Sequence, residues 1–219
     1  MAGLRAAVLA TTILWAGSGL PGQAKPAPPA TFFVTSTKSL TGGNLGGLAG
    51  ADRTCRRLAK AAHLPHHKWR AYLSAIDARG RTIDARNRIG QGPWVNARGE
   101  LIAATLQDLH GPANDISRTT ALNERGESVF GPGDPSSQHD ILTGSTADGR
   151  LAPPVNSQDL TCRNWTSNAT DRAMVGHMDR QGYGADPTSW NAAHKSRGCS
   201  VAELSTSGGD GRFYCFAAD

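Results

Sequence analysis

Along most of the chain, apolar residues come in runs too short for a stable helix, separated by polar stretches rich in Gly and Pro. Phe32-Phe33-Val34-Thr35-Ser36, Trp69 to Ser74 and Arg212 to Ala217 read as short strands, the last with Cys215 inside it. Asp140 to Ser145 reads as a strand entering a turn at Ala147-Asp148-Gly149. Thr161 to Trp165 and Val201 to Ser205 are further strand candidates. Residues 92–96 and 100–106 supply apolar segments, and 107–137 are turn-rich. One segment has a different period. Ala51, Cys55, Leu58, Ala59 and Ala62 fall on one face at about 100° per residue, and Arg53, Arg56, Arg57 and Lys60 on the other, so 51–62 is predicted to be a helix with Cys55 turned to the core.

The N-terminus reads as an export signal. Arg5 is followed by an apolar stretch, Ala6 to Trp15, of about ten residues, too short to span a bilayer comfortably. Gly22-Gln23-Ala24 offers a small-x-small cleavage site. Residues 1–24 are therefore expected to be a signal peptide, 25–30 a stiff Pro/Ala linker, and 31–219 a single domain. The expected location is secreted or periplasmic, with no stable membrane anchor after cleavage. The sequence has 219 residues, 38% of them hydrophobic, with 26 Gly and 12 Pro, which suits one loop-rich domain and excludes a coiled coil or a multi-span membrane protein. The formal charge of +5 falls by one on loss of Arg5, a modest excess that matters only if the cations cluster.

Export also changes the meaning of the four cysteines, Cys55, Cys162, Cys199 and Cys215. An even number in an exported chain favours two disulfides, and spacing alone leaves all three pairings open. No CxxC is present, so redox, zinc-ribbon and haem-attachment signatures are missing.

Motifs for chemistry are sparse. The glycine-rich stretch from Thr41 to Gly50 lacks both the Gly-Lys-Ser/Thr ending of a phosphate loop and the GxGxxG order. His63, His66 and His67 are the only clustered histidines, but a proline interrupts them and no carboxylate accompanies them. His110, His139, His177 and His194 are scattered in sequence, and Asp115, Asp134, Asp140 and Asp148 sit where turn chemistry explains them. Residues 25–219 hold no GxSxG elbow. The expectation is a non-enzymatic protein with no catalytic residues, no cofactor and no metal, His63, His66 and His67 being the nearest metal candidates. Trp94, Trp165 and Trp190 are expected in the core rather than on a sugar-binding surface.

The order of several pieces resembles a known group. Leu40 to Asp52, Cys55, Trp69-Arg-Ala-Tyr-Leu-Ser74, Thr143-Gly-Ser145, Asp148-Gly-Arg150, Cys162 with Trp165, Cys199 and Phe213-Tyr-Cys-Phe216 together resemble the endostatin domain of basement-membrane collagens, and more broadly the C-type lectin-like superfamily with its bacterial secreted modules. The resemblance implies an α+β fold: a twisted antiparallel sheet with one or two helices, long loops and two disulfides, the terminal strands side by side. It also implies the pairing Cys55–Cys215 and Cys162–Cys199. The Glu-Pro-Asn or Gln-Pro-Asp triplet of calcium-dependent lectins is missing, and Trp190-Asn191-Ala192 has alanine where that family carries an acid. Residues 25–35 hold no histidine, so endostatin's zinc site is not carried over.

The functional expectation is a secreted binding module for an acidic polysaccharide or surface glycan, calcium-independent, acting through Arg53, Arg56, Arg57 and Lys60, with Arg70, Arg79, Arg81, Arg86 and Arg88 extending the basic face. The alternatives are an extracellular structural or protein-interaction module and, behind it, a secreted hydrolase. Nucleic acid is not an expected partner.

Overall fold

The computed structural model describes Gly3 and residues 28–65 and 67–219. The expected signal peptide (Gly3 aside), the first part of the linker and His66 lie outside the described residues. The structure is a mixed α+β domain with few helices, mainly antiparallel sheets and two disulfides. Among the described residues, no helix is long and apolar enough to cross a membrane.

The organising element is β10 (Gly209–Ala217). It pairs antiparallel with β1 (Phe32–Val34) and β2 (Trp69–Ala71), and parallel with β7 (Asp140–Leu142). The sheet continues antiparallel through β8 (Met174–His177) to the edge strand β9 (His194–Lys195). Two hairpins flank it: β3 (Ala75–Ile76) with β4 (Thr82–Ile83), and β5 (Trp94–Val95) with β6 (Leu101–Ala103). The terminal strands β1 and β10 thus lie side by side. Strand alternation explains why the Phe213-Tyr-Cys-Phe216 run is apolar throughout. Phe213, Cys215 and Ala217 join one core with Phe33, Trp69 and Ala71, while Tyr214 and Phe216 join a second with Phe32, Tyr72, Trp94 and Trp190.

Helix α1 (Gly47–Ala61) covers the first core and begins four residues before the expected start. Cys55 is buried on it and bonded to Cys215, and Cys162 is bonded to Cys199, the pairing the resemblance implied. Trp94, Trp165 and Trp190 are all buried. The turn-rich 107–137 stretch begins within the single turn α2 (Leu106–Leu109).

Two strand expectations are corrected. Cys162–Trp165 is a single turn, α3, whose four residues have φ between 49° and 65°. Left-handed backbone is costly for non-glycine residues, and here it is held by the Cys162–Cys199 bond, by Thr161 Oγ1 accepting from the Asn164 N–H at 3.0 Å and by the Trp165 indole donating to the Ser74 carbonyl at 2.8 Å. Val201–Ser205 is the helix α4. Ser200 Oγ accepts from the Glu203 N–H at 3.2 Å while the Glu203 carboxylate accepts from the Ser200 N–H at 3.3 Å. This reciprocal cap outweighs the strand-like run that follows it. Ser200→Ala is expected to cost about 1 kcal/mol, read as a shift of the urea midpoint at unchanged slope. An unmoved midpoint would mean that the neighbouring disulfide alone holds this end of α4.

Candidate metal centre

The structure divides the nine expected basic residues. Arg53, Arg56, Arg57 and Lys60 are exposed along α1 and have no acidic partner among the described residues. Arg79 is also exposed. The other four are engaged. Buried Asp52 accepts from Arg70 at 2.8 Å, from Arg88 at 2.8 and 2.9 Å and from the Ala71 N–H at 2.9 Å. The Arg88 side chain is itself mostly buried and also donates to the Ala71 carbonyl, so this pair fastens α1 to β2 rather than meeting a ligand. Arg81 pairs with Asp77 at 2.7 Å, and Arg86 donates to the Asp148 carbonyl at 2.8 Å. Of the nine, Arg53, Arg56, Arg57, Lys60 and Arg79 therefore have no acidic partner among the described residues, and Arg70, Arg81, Arg86 and Arg88 are held by neighbouring groups.

Of the nearest metal candidates named from the sequence, His66 lies outside the described residues. His63 is exposed, and His67 Nδ1 is 2.9 Å from Asp219 Oδ1. The histidines that sequence order scattered do converge. Asp140 opens β7, His177 closes β8 directly opposite it, and His194 opens β9, paired with Val175. Cross-strand pairing puts these three side chains on one face of the sheet at its open end. His139 reaches the same point from the residue before β7. The Nε2 atoms of His139, His177 and His194 lie 3.3, 3.3 and 3.4 Å from Asp140 Oδ1.

Each of these separations from Asp140 Oδ1 matches the distance between two neighbouring donors of a metal centre, and the mutually close donors are those of His139, Asp140 and His177. Zinc–ligand bonds of about 2.0–2.1 Å put neighbouring donor atoms of a tetrahedron about 3.3–3.4 Å apart. The hydrogen-bond directions agree. His177 Nδ1 is 2.9 Å from the Pro187 carbonyl, and His194 Nδ1 is 3.0 Å from the Lys195 carbonyl. A carbonyl can only accept, so both Nδ1 atoms carry a proton, and in the neutral ring Nε2 is then the lone-pair donor. His139 Nδ1 is held in the same manner, 3.1 Å from Asp179 Oδ1. Carbonyl and carboxylate partners of this kind are what fix a metal-ligating imidazole. Both Asp140 oxygens and His177 Nε2 are buried and have no hydrogen-bond partner among the described residues, although they lie close together. Atoms of this kind are costly to bury without compensation.

The electrostatics favour a cation. Burial pushes the Asp140 pKa up, but the His177 and His194 imidazoles hold it below the ordinary carboxylate value, so it stays ionised. Asp140 in turn raises the His194 pKa. Asp140 and Asp179 are both buried, and a single divalent cation balances two carboxylates. The set is His139, Asp140 and His177, whose donor atoms all lie within 4.8 Å of one another; His194 falls outside it, its Nε2 3.4 Å from Asp140 Oδ1. Gly182 and Gly208 pass over the rings so closely that a Cβ would come within 3.0 Å of the His139 ring carbon at Gly182 and 2.9 Å of His139 Nε2 at Gly208. Above the cluster opens a cleft of about 500 Å³ lined by His139, His177, His194, Gln181 and Tyr183.

Compared with protein-family models and with curated proteins, the chain matches none. Imidazole and carboxylate donors select zinc-class transition metals over calcium, which takes six to eight oxygens.

Proposed function

We propose that this protein is an exported binding module whose functional centre is a zinc-class metal ion held by His139, Asp140, His177 and His194. The observation that carries the reading is the convergence of three Nε2 atoms, each on an imidazole with its Nδ1 already engaged, around one buried unsatisfied carboxylate. Two disulfides suit an oxidising compartment. The endostatin-like or C-type lectin-like reading is supported by the cysteine pairing and the adjacent terminal strands, and the metal centre would then lie on residues different from endostatin's. The test is titration of chelator-treated protein with zinc against a competing chromophoric chelator. One saturable site per chain is expected, lost in Asp140→Asn. Zinc uptake equal in both proteins would sink the assignment.

A second reading is favoured by α1. Its exposed cations, without an acidic partner among the described residues, are flanked by two open hollows, one lined by Lys38 and Arg57 and the other by Arg56, Lys60, His63 and His67. This face is proposed to bind acidic polysaccharide independently of calcium, since single exposed contacts are worth only about 0–1 kcal/mol but several act together along a chain. Arg53→Ala/Arg56→Ala/Arg57→Ala is expected to elute from a heparin column at clearly lower salt than wild type, with and without EDTA. Elution of both at the same salt would reduce the stripe to a solvated face.

A further inference from the structure

The cleft over the metal centre does not end there. It adjoins a second cavity of about 690 Å³, and Tyr183, His194 and Ser207 line both. Each volume falls in the range of small-molecule sites. The second cavity is basic. Arg172, Lys195 and Arg197 line it, and none of the three pairs with a carboxylate among the described residues. Arg172 donates to the Ser196 carbonyl at 3.2 Å, a contact that orients the guanidinium without neutralising it. Asp186, on the neighbouring loop, takes the Thr188 hydroxyl at 3.0 Å and does not line the cavity.

Tyr183 stands between the two cavities and is 92% exposed, the most exposed large hydrophobic side chain described. Residues 181–186 are exposed throughout, so no element among the described residues covers its ring. A flat apolar face held open beside three uncompensated cations and a cluster of metal donors calls for a ligand with two properties. It must carry a hard anionic oxygen, which both a zinc-class ion and an arginine fork accept. It must also have a compact body that can lie against an aromatic ring with its polar rim in water.

We infer that the joined cleft binds an acidic sugar, a uronate, with its carboxylate shared between the metal and the Arg172, Lys195 and Arg197 group, and its ring against Tyr183. The inference rests on the metal-centre reading proposed above and names the ligand of that same site. It is separate from the polysaccharide reading of α1, whose residues line neither cavity. His194 couples the two halves: its Nε2 faces Asp140 while the following residue, Lys195, lines the basic cavity. A metal held by these residues would be reached from the His194 side, since His139, Asp140 and His177 are buried and His194 is partly exposed.

The test uses the full chain loaded with cobalt(II), whose visible bands report on the coordination shell, titrated separately with D-glucuronate, D-glucose and inorganic phosphate. Glucuronate is expected to shift the bands saturably, glucose to leave them unmoved, and phosphate to act more weakly than glucuronate. Lys195→Ala/Arg197→Ala is expected to weaken glucuronate about tenfold with cobalt affinity unchanged, and Tyr183→Ala to weaken glucuronate but not phosphate. Both variants change exposed side chains, and their cobalt spectra before titration check the fold. Cobalt bands that glucuronate does not move, a phosphate response equal to that of glucuronate, or an unaffected double variant would each overturn the inference while leaving the metal centre standing. Failure of cobalt to bind at all would overturn the metal-centre reading, and this inference with it.

Discussion

His177→Ala is expected to abolish nearly all zinc-dependent stabilisation. A ligand present at about 100 times its dissociation constant stabilises the native state by about 2.7 kcal/mol, and a hundredfold weaker site under the same conditions by only about 0.4 kcal/mol. For a domain of this size the first figure corresponds to a rise in melting temperature of roughly 5–11 °C, the second to about 1 °C. The hundredfold loss is a conservative figure, since removal of supporting residues alone weakens metal sites by about 10–100-fold. His177 is fully buried, and its Nδ1 is held at the Pro187 carbonyl, so the alanine variant also loses stability without metal. The informative quantity is therefore the difference between zinc-loaded and chelator-treated melting temperatures within each protein. Asp140→Asn separates the two accounts of the cluster. If the imidazoles merely ion-paired with Asp140, wild type would show no zinc-dependent shift at all. A shift in wild type that disappears in both variants is the expected result, and a shift that survives in either contradicts the four-residue centre.

The largest loss of stability is expected from the double variant Cys55→Ala/Cys215→Ala. The bond links the buried face of α1 to the central strand across 160 residues of chain, whereas Cys162–Cys199 spans 37. Loop-closure entropy puts these at about 5 and about 4 kcal/mol. Total stabilities of domains run to only about 5–15 kcal/mol. Cys215 also sits between β1 and β2, opposite Phe33 and Ala71, so the variant opens a gap where three strands and a helix meet. Guanidinium unfolding at neutral pH should show the Cys55/Cys215 variant weaker than Cys162→Ala/Cys199→Ala. A loss under about 1 kcal/mol for the first would show that packing of α1 on the sheet, with the Asp52–Arg88 pair, suffices without the covalent link.

Local patterns carried much of the fold. The period change at 51–62 located α1 and the face of Cys55, and the apolar run at the C-terminus located the strand that became the centre of the sheet. Both signals are side-chain periodicities, which a chain expresses before it meets any partner. Elements decided by a few hydrogen bonds were read less well. The strand-like letters of Val201 to Ser205 became a helix because of one serine and one glutamate, and Thr161 to Trp165 became a left-handed turn because a disulfide and a buried indole hold it.

The sites divide along the same line. The α1 stripe was legible because its spacing is helical and its neighbours are close in sequence. The extension through Arg70 and Arg88 was not, because Asp52 captures both once α1 lies on β2. The metal centre left one local trace, the adjacent His139 and Asp140. His177 and His194 are 38 and 55 residues further on, and only the β7–β8–β9 register puts them beside that pair. By itself the sequence determined the helix, the strand runs and the supply of cysteines and histidines, because those depend on composition and period. Tertiary structure alone decided which cations stay free and which donor atoms share a point, because strand register and burial are settled between segments distant in the chain.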